Sequence, residues 1–169
     1  MDIDLIPLGG IKEELVNSIH NSLKKMSPFI CFLKGERIDP IPKKAYRARR
    51  GQYNSTKLLS ILAHKQYDRA LYVLEEDIFP RGMKYAIGEA QIGGKVAVIS
   101  TYRLKTTDEK LFLDRCVKEA LHETGHILSL RHCKDPRCVM FFSKNVSITD
   151  KKTRELCLSC QDKLDSLTS

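Results

Sequence analysis

The chain contains 169 residues, of which 42% are hydrophobic and 30% are charged, and it carries a formal net charge of +8. The composition predicts a globular protein, and the length is sufficient for one domain but too short for two domains of ordinary size. No stretch approaches the roughly 18 apolar residues of a membrane span, and the acidic start MDID is unlike a signal peptide, so we expect a cytoplasmic protein without a membrane partner.

The first part of the chain alternates strand and helix patterns. Residues 3–7 are predicted to form a short strand, and the glycine pair at positions 9 and 10 permits a turn into a helix. The apolar positions of that helix recur every four residues (Ile11, Leu15, Ile19, Leu23). Residues 29–33, FICFL, are continuously apolar, which predicts a central strand with Cys31 buried inside it.

The most basic stretch, residues 38–53, contains two prolines and five Lys or Arg side chains. One interpretation is a nucleic-acid-binding arm with Tyr46 and Tyr53 as stacking groups. The other is a solvated connecting loop or a rim of a substrate cleft. We favour the second because the chain has no recognised nucleic-acid-binding fold and its basic residues are scattered, so we expect no nucleic-acid partner.

Further strand and helix patterns complete the first 100 residues. Ser55 is predicted to cap a helix over residues 55–66, and residues 69–74 form the next strand. Residues 85–91 and 95–100 lie on either side of a glycine pair and are predicted to pair with each other. The first of these strands contains a glycine, as expected for an edge strand.

A long helix, capped by Asp108 and running over residues 109–130, is predicted next. Apolar side chains recur along it at intervals of three and four, so it buries one broad face. His122 and His126 are four residues apart on one side of this helix, where two imidazoles can bind one metal ion. Glu123, beside the first histidine, can take a proton from water that the metal activates.

His132 follows His126 by six residues and can supply a third nitrogen if the chain turns sharply after Ser129. Three protein ligands with an open fourth position are typical of a catalytic zinc site. The spacing therefore predicts a catalytic zinc bound by His122, His126 and His132, with Glu123 as the general base. The alternative is a capped core helix with unused histidines.

Four cysteines form a second candidate metal site: Cys133, Cys138, Cys157 and Cys160. Their C-x4-C and C-x2-C pairs, with a spacer of 18 residues, favour tetrahedral coordination of a structural zinc. Cys157 and Cys160 are expected on a helix after Asp150, facing the same ion. Two disulfides are the main alternative, which a cytosolic location disfavours. Zinc at this site would anchor the chain directly after His132.

The motif HETGHILSLRHC resembles the extended metzincin signature HExxHxxGxxH. Its continuation resembles the archaemetzincins in particular, with a Cys after the third His, a second Cys, Met140 and then CxxC. The upstream stretches RRGQY, IGEAQ and STYRL are also similar to that family, so the resemblance covers most of the chain. It implies a zinc metallopeptidase of α/β metzincin type, with a mixed N-terminal sheet, helices, an active-site helix and a small C-terminal part.

The resemblance also implies an internal division and roles for individual positions. One metallopeptidase domain would span residues 1–169, with an N-terminal subdomain over 1–130 and a C-terminal subdomain over 131–169. Residues 87–92 would be the edge strand bordering a cleft, where an extended peptide adds as another strand. Met140 would pack below the three histidines without binding the metal.

Two positions depart from the metzincin pattern. Ser129 stands where that pattern has glycine at a turn, and a non-glycine residue with positive φ costs on the order of 1 kcal/mol. Phe142 stands where some metzincins have a tyrosine that can bind zinc. Because Phe142 has no hydroxyl, that position offers neither an extra ligand nor an oxyanion stabiliser.

We therefore expect a zinc-dependent peptidase with two zinc ions per chain, one catalytic and one structural, acting on peptide or protein substrates. For the oligomeric state, which these patterns do not determine, we favour a monomer. A zinc-stabilised binding module using residues 43–50 is a second hypothesis, but it leaves the three histidines without a role. A third is a zinc amidase acting on a non-peptide substrate, which would use the same metal and base.

Overall fold

Residues 1–168, which the computed structural model describes, form eight β-strands and five α-helices. The strands are β1 (Asp2–Pro7), β2 (Cys31–Lys34), β3 (Tyr46–Arg47), β4 (Gln52–Asn54), β5 (Ala70–Leu74), β6 (Ile78–Phe79), β7 (Gly88–Ala90) and β8 (Val96–Ser100). The helices are α1 (Glu13–Leu23), α2 (Ser55–Leu62), α3 (Glu109–Ile127), α4 (Val146–Lys151) and α5 (Leu158–Thr168). Residue 169, the last of the predicted C-terminal subdomain, lies outside the described residues.

A five-stranded mixed sheet, in the order β2-β1-β5-β8-β7, forms the centre of the fold. Strands β2, β1, β5 and β8 are parallel, and β7 pairs antiparallel with β8 at the edge. Strands β5 and β8 are buried at every position because both faces of the sheet are covered. A smaller sheet, in the order β3-β4-β6, lies beside it.

Alternate residues of the central strands point to opposite faces and build two cores. Ile3 and Leu5 pack on the side that α1 and α3 cover, whereas Ile6 and Leu8 pack on the side of α2. The mixed α/β architecture predicted from the sequence is therefore confirmed. Among residues 1–168, no helix combines the length and apolar character needed to cross a membrane.

Helix α3 begins and ends with specific capping contacts. The Asp108 carboxylate accepts a hydrogen bond from the Leu111 amide at 3.1 Å, as predicted for the N-cap. The helix ends at Ile127, three residues earlier than predicted, because Ser129 takes a left-handed φ of 70°. The amides of Ser129 and Leu130 then donate to the carbonyls of His126 at 3.0 Å and Gly125 at 2.9 Å, which is a Schellman motif.

Two local predictions are wrong. Strand β2 lies at the edge of the sheet, where among the described residues it pairs with β1 alone, and three of its four residues, Cys31 included, are exposed. A continuous apolar run was a poor indicator here because burial at an edge depends on what covers each face. Helix α2 is capped by Asn54, whose side chain accepts from the Lys57 amide at 2.9 Å, and Ser55 is its first residue.

Ion pairs fasten the C-terminal segment to α3. The Arg115 guanidinium donates to both carboxylate oxygens of Asp150, at 2.7 and 2.8 Å. Asp114 lies 2.7 Å from Arg154 and 2.6 Å from Lys118. The helix that carries the histidine motif is thus held by the central sheet on one side and by the C-terminal segment on the other.

Candidate metal centres and active-site cleft

A cleft of about 520 Å³ lies between the edge strand β7 and the segment 142–144, with α3 as its floor. Hydrogen bonds to both neighbouring helices position β7. The Glu89 carboxylate accepts from the Ser55 hydroxyl and, at 2.8 Å, from the Thr56 hydroxyl at the start of α2. Beyond β7, the Gly93 amide donates to the His126 carbonyl at 2.8 Å. The predicted cleft strand, residues 87–92, therefore contains β7 and borders the cleft.

Three imidazole rings converge in this cleft. One turn of α3 separates His122 from His126, and the turn at Ser129 brings His132 back beside them. Their ring centroids are 4.6 to 5.3 Å apart, and one ligand nitrogen from each lies within 4.8 Å of the others. The left-handed backbone at Ser129 turns the chain so that the His132 ring joins the other two. This is the sharp turn predicted from the spacing.

The first two histidines are oriented by backbone carbonyls. The Nδ1 of His122 lies 2.8 Å from the Val139 carbonyl, and that of His126 lies 2.8 Å from the Leu130 carbonyl. A carbonyl only accepts, so each Nδ1 carries the proton and each Nε2 has a free lone pair. The two Nε2 atoms are 3.1 Å apart. Two facing lone pairs at this distance repel each other, and a cation between them would remove that repulsion.

Burial favours the neutral, metal-binding form of these rings. It lowers the pKa of His122 well below its usual value, and the Lys152 and His126 charges add to this shift. It also lowers the pKa values of His126 and His132. Neutral imidazole is the form that binds zinc. Three nitrogen donors of this kind fit a zinc ion with an open coordination position.

Glu123 lies in the same cleft and is buried, with 5% of its surface exposed. Its Oε2 is buried without a hydrogen-bond partner among the described residues. Burial raises the pKa of its carboxyl well above the usual range, and Glu119 adds to the rise. A Cβ atom on Gly88 would lie 2.6 Å from Oε1, so the strand passes directly over the carboxyl group. A buried acid with one unpaired oxygen in a cleft is suited to proton transfer.

Met140 packs against the turn of α3 that carries the histidine motif, at Gly125. Its implied place below a bound metal stays a prediction. Its side chain is fully buried, and its sulfur lies so near Gly125 that a Cβ there would collide with it. The glycine of HETGH is therefore required by packing against Met140. On the open side, the Phe142 ring lies 4.9 Å from the His132 ring and lines the cleft.

The four cysteine sulfurs form a second cluster in which all lie within 4.8 Å of one another. All four are free thiols, and the Sγ atoms of Cys133 and Cys157 are 3.7 Å apart, too far for a disulfide. Thiolates about 2.3 Å from one tetrahedral zinc ion lie roughly 3.8 Å from each other, so this spacing fits shared coordination. Cys157 directly precedes α5, and its amide donates to the Cys138 sulfur at 3.3 Å.

The basic stretch, considered above as a nucleic-acid arm, is partly used inside the molecule. Arg50 lies over the Phe79 ring at 3.4 Å and donates to the carbonyls of Met83 and Lys84. Tyr46 and Tyr53 pack against each other with ring centroids 5.0 Å apart. These contacts position the segment that leads into the cleft wall, which agrees with a rim of the cleft.

Three residues near the site were not predicted from sequence: Gly88, Glu119 and Lys152. In the sequence, Gly88 stands out only as an irregularity of an edge strand. Glu119 and Lys152 are charged yet buried, with 4% and 3% of their surfaces exposed. An acid one turn before Glu123 is a signal that could have singled out Glu119, whereas no sequence pattern connects Lys152 with it.

Comparison with known proteins decides the family. Residues 7–166 match the model of Peptidase family M54. The chain belongs to this peptidase family. It is 39% identical over 164 residues to the archaemetzincin of Archaeoglobus fulgidus, covering 97% of this chain and 99% of that protein. The chain is also 35% identical to the archaemetzincin of Methanocaldococcus jannaschii, in an alignment that covers 97% of this chain and 93% of that protein.

Solved structures give the same assignment for this M54 peptidase. The crystal structure of the A. fulgidus archaemetzincin complexed with malonate has a TM-score of 0.88 and covers 96% of this chain and 99% of that one. The archaemetzincin structure from Methanopyrus kandleri has a TM-score of 0.89 at 32% identity, covering 99% and 94%. The resemblance to archaemetzincins is confirmed, and the protein is a zinc metallopeptidase.

Proposed function

We propose that this M54 peptidase hydrolyses peptide bonds with water, using a zinc ion held by His122, His126 and His132 and Glu123 as the general base. The observation that carries the proposal is the convergence of three neutral imidazoles in the cleft that holds the unpaired Oε2 of Glu123. Zinc bound there would supply a Lewis acid that polarises the scissile carbonyl and makes water more acidic.

Glu123 performs the proton transfers in this mechanism. Its unpaired oxygen accepts the proton of the attacking water as the new C–O bond forms. The same carboxyl then gives that proton to the departing amine nitrogen as the C–N bond breaks. Burial raises the pKa of this carboxyl well above its usual range, which supports a role in which the group first accepts and then releases a proton.

The substrate is an extended peptide that lies along β7. In the described part of the chain this strand pairs only with β8, which leaves its outer edge available beside the cleft. A peptide added at this edge gains main-chain hydrogen bonds and places one carbonyl near the three histidines. Apolar side chains such as Ile87, Ile92 and Phe142 line the same cleft and would contact the side chains of the peptide.

A second zinc ion, bound by Cys133, Cys138, Cys157 and Cys160, has a structural role in this proposal. It would tie residues 133–138 to the start of α5 and hold His132, which directly precedes Cys133. In this view, residues 1–130 provide the sheet and the active-site helix, and residues 131–169 form a small subdomain organised by the second zinc. The two ions together account for every predicted metal ligand.

Glu123→Gln tests the proposal most directly. We expect it to keep two zinc ions per chain and to lose about 10²- to 10⁴-fold in kcat on a peptide library, because the amide cannot accept the proton. Glu109→Gln is the matched control, since Glu109 is an exposed glutamate in the first turn of the same helix. Hydrolysis that persists in Glu123→Gln, or a wild type that binds zinc and cleaves no peptide in the library, would contradict the proposal.

A further inference from the structure

A buried lysine lies beneath the cleft and contacts both its floor and its wall. The side chain of Lys152, at the end of α4, is 0% exposed. Its ammonium donates to the Phe141 carbonyl at 3.1 Å and lies 3.6 Å from Glu119 Oε1. A lysine so completely enclosed is rare and costly unless its charge is balanced, so its two contacts require an explanation.

The contact with Glu119 concerns the floor of the cleft. Glu119 lines the cleft, and its Oε1 also accepts a hydrogen bond from the Thr149 hydroxyl at 3.0 Å. It lies one helical turn before Glu123, so two carboxyl groups face the same region. The positive charge of Lys152 balances the carboxyl group of Glu119. Of the two glutamates, Glu123 is therefore the one without a lysine partner among the described residues.

The contact with Phe141 concerns the cleft wall. This residue lies between Met140, which packs against Gly125 of the histidine motif, and Phe142, whose ring centroid is 4.9 Å from that of His132. Ser143 and Lys144, which follow, line the cleft. Fixing the Phe141 carbonyl therefore restricts the segment that shapes both His132 and the wall opposite β7.

We propose that Lys152 is a positioning residue for peptide hydrolysis, which acts through Glu119 and the Phe141 carbonyl to hold the cleft around Glu123 and His132. This inference rests on the proposed function. It assigns to the C-terminal segment a part in the reaction besides its cysteines. A merely structural lysine would stabilise the fold, and any sufficiently stable replacement would restore activity.

The deciding variant is Lys152→Met combined with Glu119→Gln, which removes both charges and leaves no unpaired buried ion. We expect the double variant to unfold near the wild-type urea midpoint and to keep its zinc. Its kcat should fall about 10- to 100-fold with KM changed by less than about threefold, because positioning is lost while binding remains. The single variant Lys152→Met leaves Glu119 unpaired and should lose both stability and activity.

Two further variants keep the test decisive. Lys118→Met is the matched control, because Lys118 is also a buried lysine that pairs with an acid on α3, but that acid, Asp114, does not line the cleft as Glu119 does. It should change stability and leave kcat unaltered. If Lys152→Met variants do not fold, Thr149→Val removes only the hydrogen bond to Glu119 and should lower kcat about three- to tenfold at unchanged KM.

Hydrogen–deuterium exchange of residues 139–144 provides a readout that needs no substrate. Exchange should rise about tenfold or more in the double variant and stay at the wild-type level in Lys118→Met. Unchanged exchange together with wild-type kcat in the double variant, or full kcat in Thr149→Val, overturns the inference. A wild type that cleaves no peptide contradicts the proposed function instead, and the exchange experiment still decides whether Lys152 holds the cleft wall.

Discussion

The three-histidine cluster and the four-cysteine cluster are built in opposite ways. Two of the histidines lie on one helix, are oriented by backbone carbonyls 2.8 Å away and face an open cleft. The cysteines come from short irregular segments before α4 and at the start of α5, and their sulfurs face one another. Three ligands that leave one coordination position open to a cleft suit a catalytic metal ion. Four ligands that enclose the ion suit a structural metal ion that holds chain segments together.

The comparison shows how the two clusters depend on each other. Helix α3 can form without metal because it is capped at both ends and packed on the sheet. The segment after Leu130 has little regular structure until α4, so its path depends on cross-links such as the ion pairs to α3 and the cysteine cluster. His132 and Cys133 are adjacent, so zinc bound by the four cysteines would restrain the three-histidine cluster.

The largest expected effect comes from removing one ligand of the four-cysteine cluster. Cys138→Ser should reduce zinc content from two ions to one and lower the free energy of unfolding by several kcal/mol, a large part of the about 5–15 kcal/mol of a typical domain. Metal analysis and urea unfolding measure both quantities. His132→Ala should also lose one zinc but keep a cooperative unfolding transition.

Cys31→Ser is the matched control for the cysteine variant, because Cys31 is exposed and far from the cluster in sequence. It should keep two zinc ions and wild-type stability. Equal losses of stability in Cys138→Ser and Cys31→Ser would remove the distinction between a structural cysteine cluster and an ordinary thiol.

The next effect concerns the strand over Glu123, the proposed general base. Gly88→Ala places a methyl group where the Glu123 carboxyl lies, so the carboxyl must move. We expect about a 10- to 100-fold loss of kcat with both zinc ions retained. Gly10→Ala, where a Cβ meets nothing within 4 Å, is the control and should leave kcat unchanged. Wild-type kcat in Gly88→Ala would show that Glu123 tolerates displacement.

A smaller effect concerns the turn between the two clusters. Ser129→Gly relieves a non-glycine residue with a φ of 70° and should raise the free energy of unfolding by about 1 kcal/mol or less. Thermal or urea unfolding measures this gain. Because the turn already has the required geometry, kcat should change little, and a large gain in activity would show that Ser129 distorts the histidine site.

An effect of similar size concerns the ring beside His132. Phe142→Leu removes the aromatic contact at 4.9 Å but keeps an apolar side chain in the cleft. An aromatic pair contributes about 0.5–1.5 kcal/mol, so the zinc affinity of the open site should fall about two- to tenfold in competition with a chelator. The cysteine site should keep its zinc, and a loss there instead would mean that the two sites are not distinct.

Local patterns predicted the elements that depend on neighbours in the chain. The capping of α3 by Asp108 and the sharp turn at Ser129 follow from side-chain chemistry and spacing within a few residues, and both predictions are confirmed. The edge position of β2 was missed because the order of strands is set by pairing between distant parts of the chain, which no pattern within residues 29–33 contains. The exposure of Cys31 follows from that order.

The sequence by itself determined the likeness to the archaemetzincins, the helix that bears two histidines and the spacing of the candidate zinc ligands, because helix geometry relates residues four apart without outside help. Only the tertiary structure decided that Gly88 passes over Glu123 and that Lys152 reaches Glu119 across 33 positions of the chain. Such contacts arise from how the sheet edge and the C-terminal segment pack on α3, and no local pattern encodes that packing.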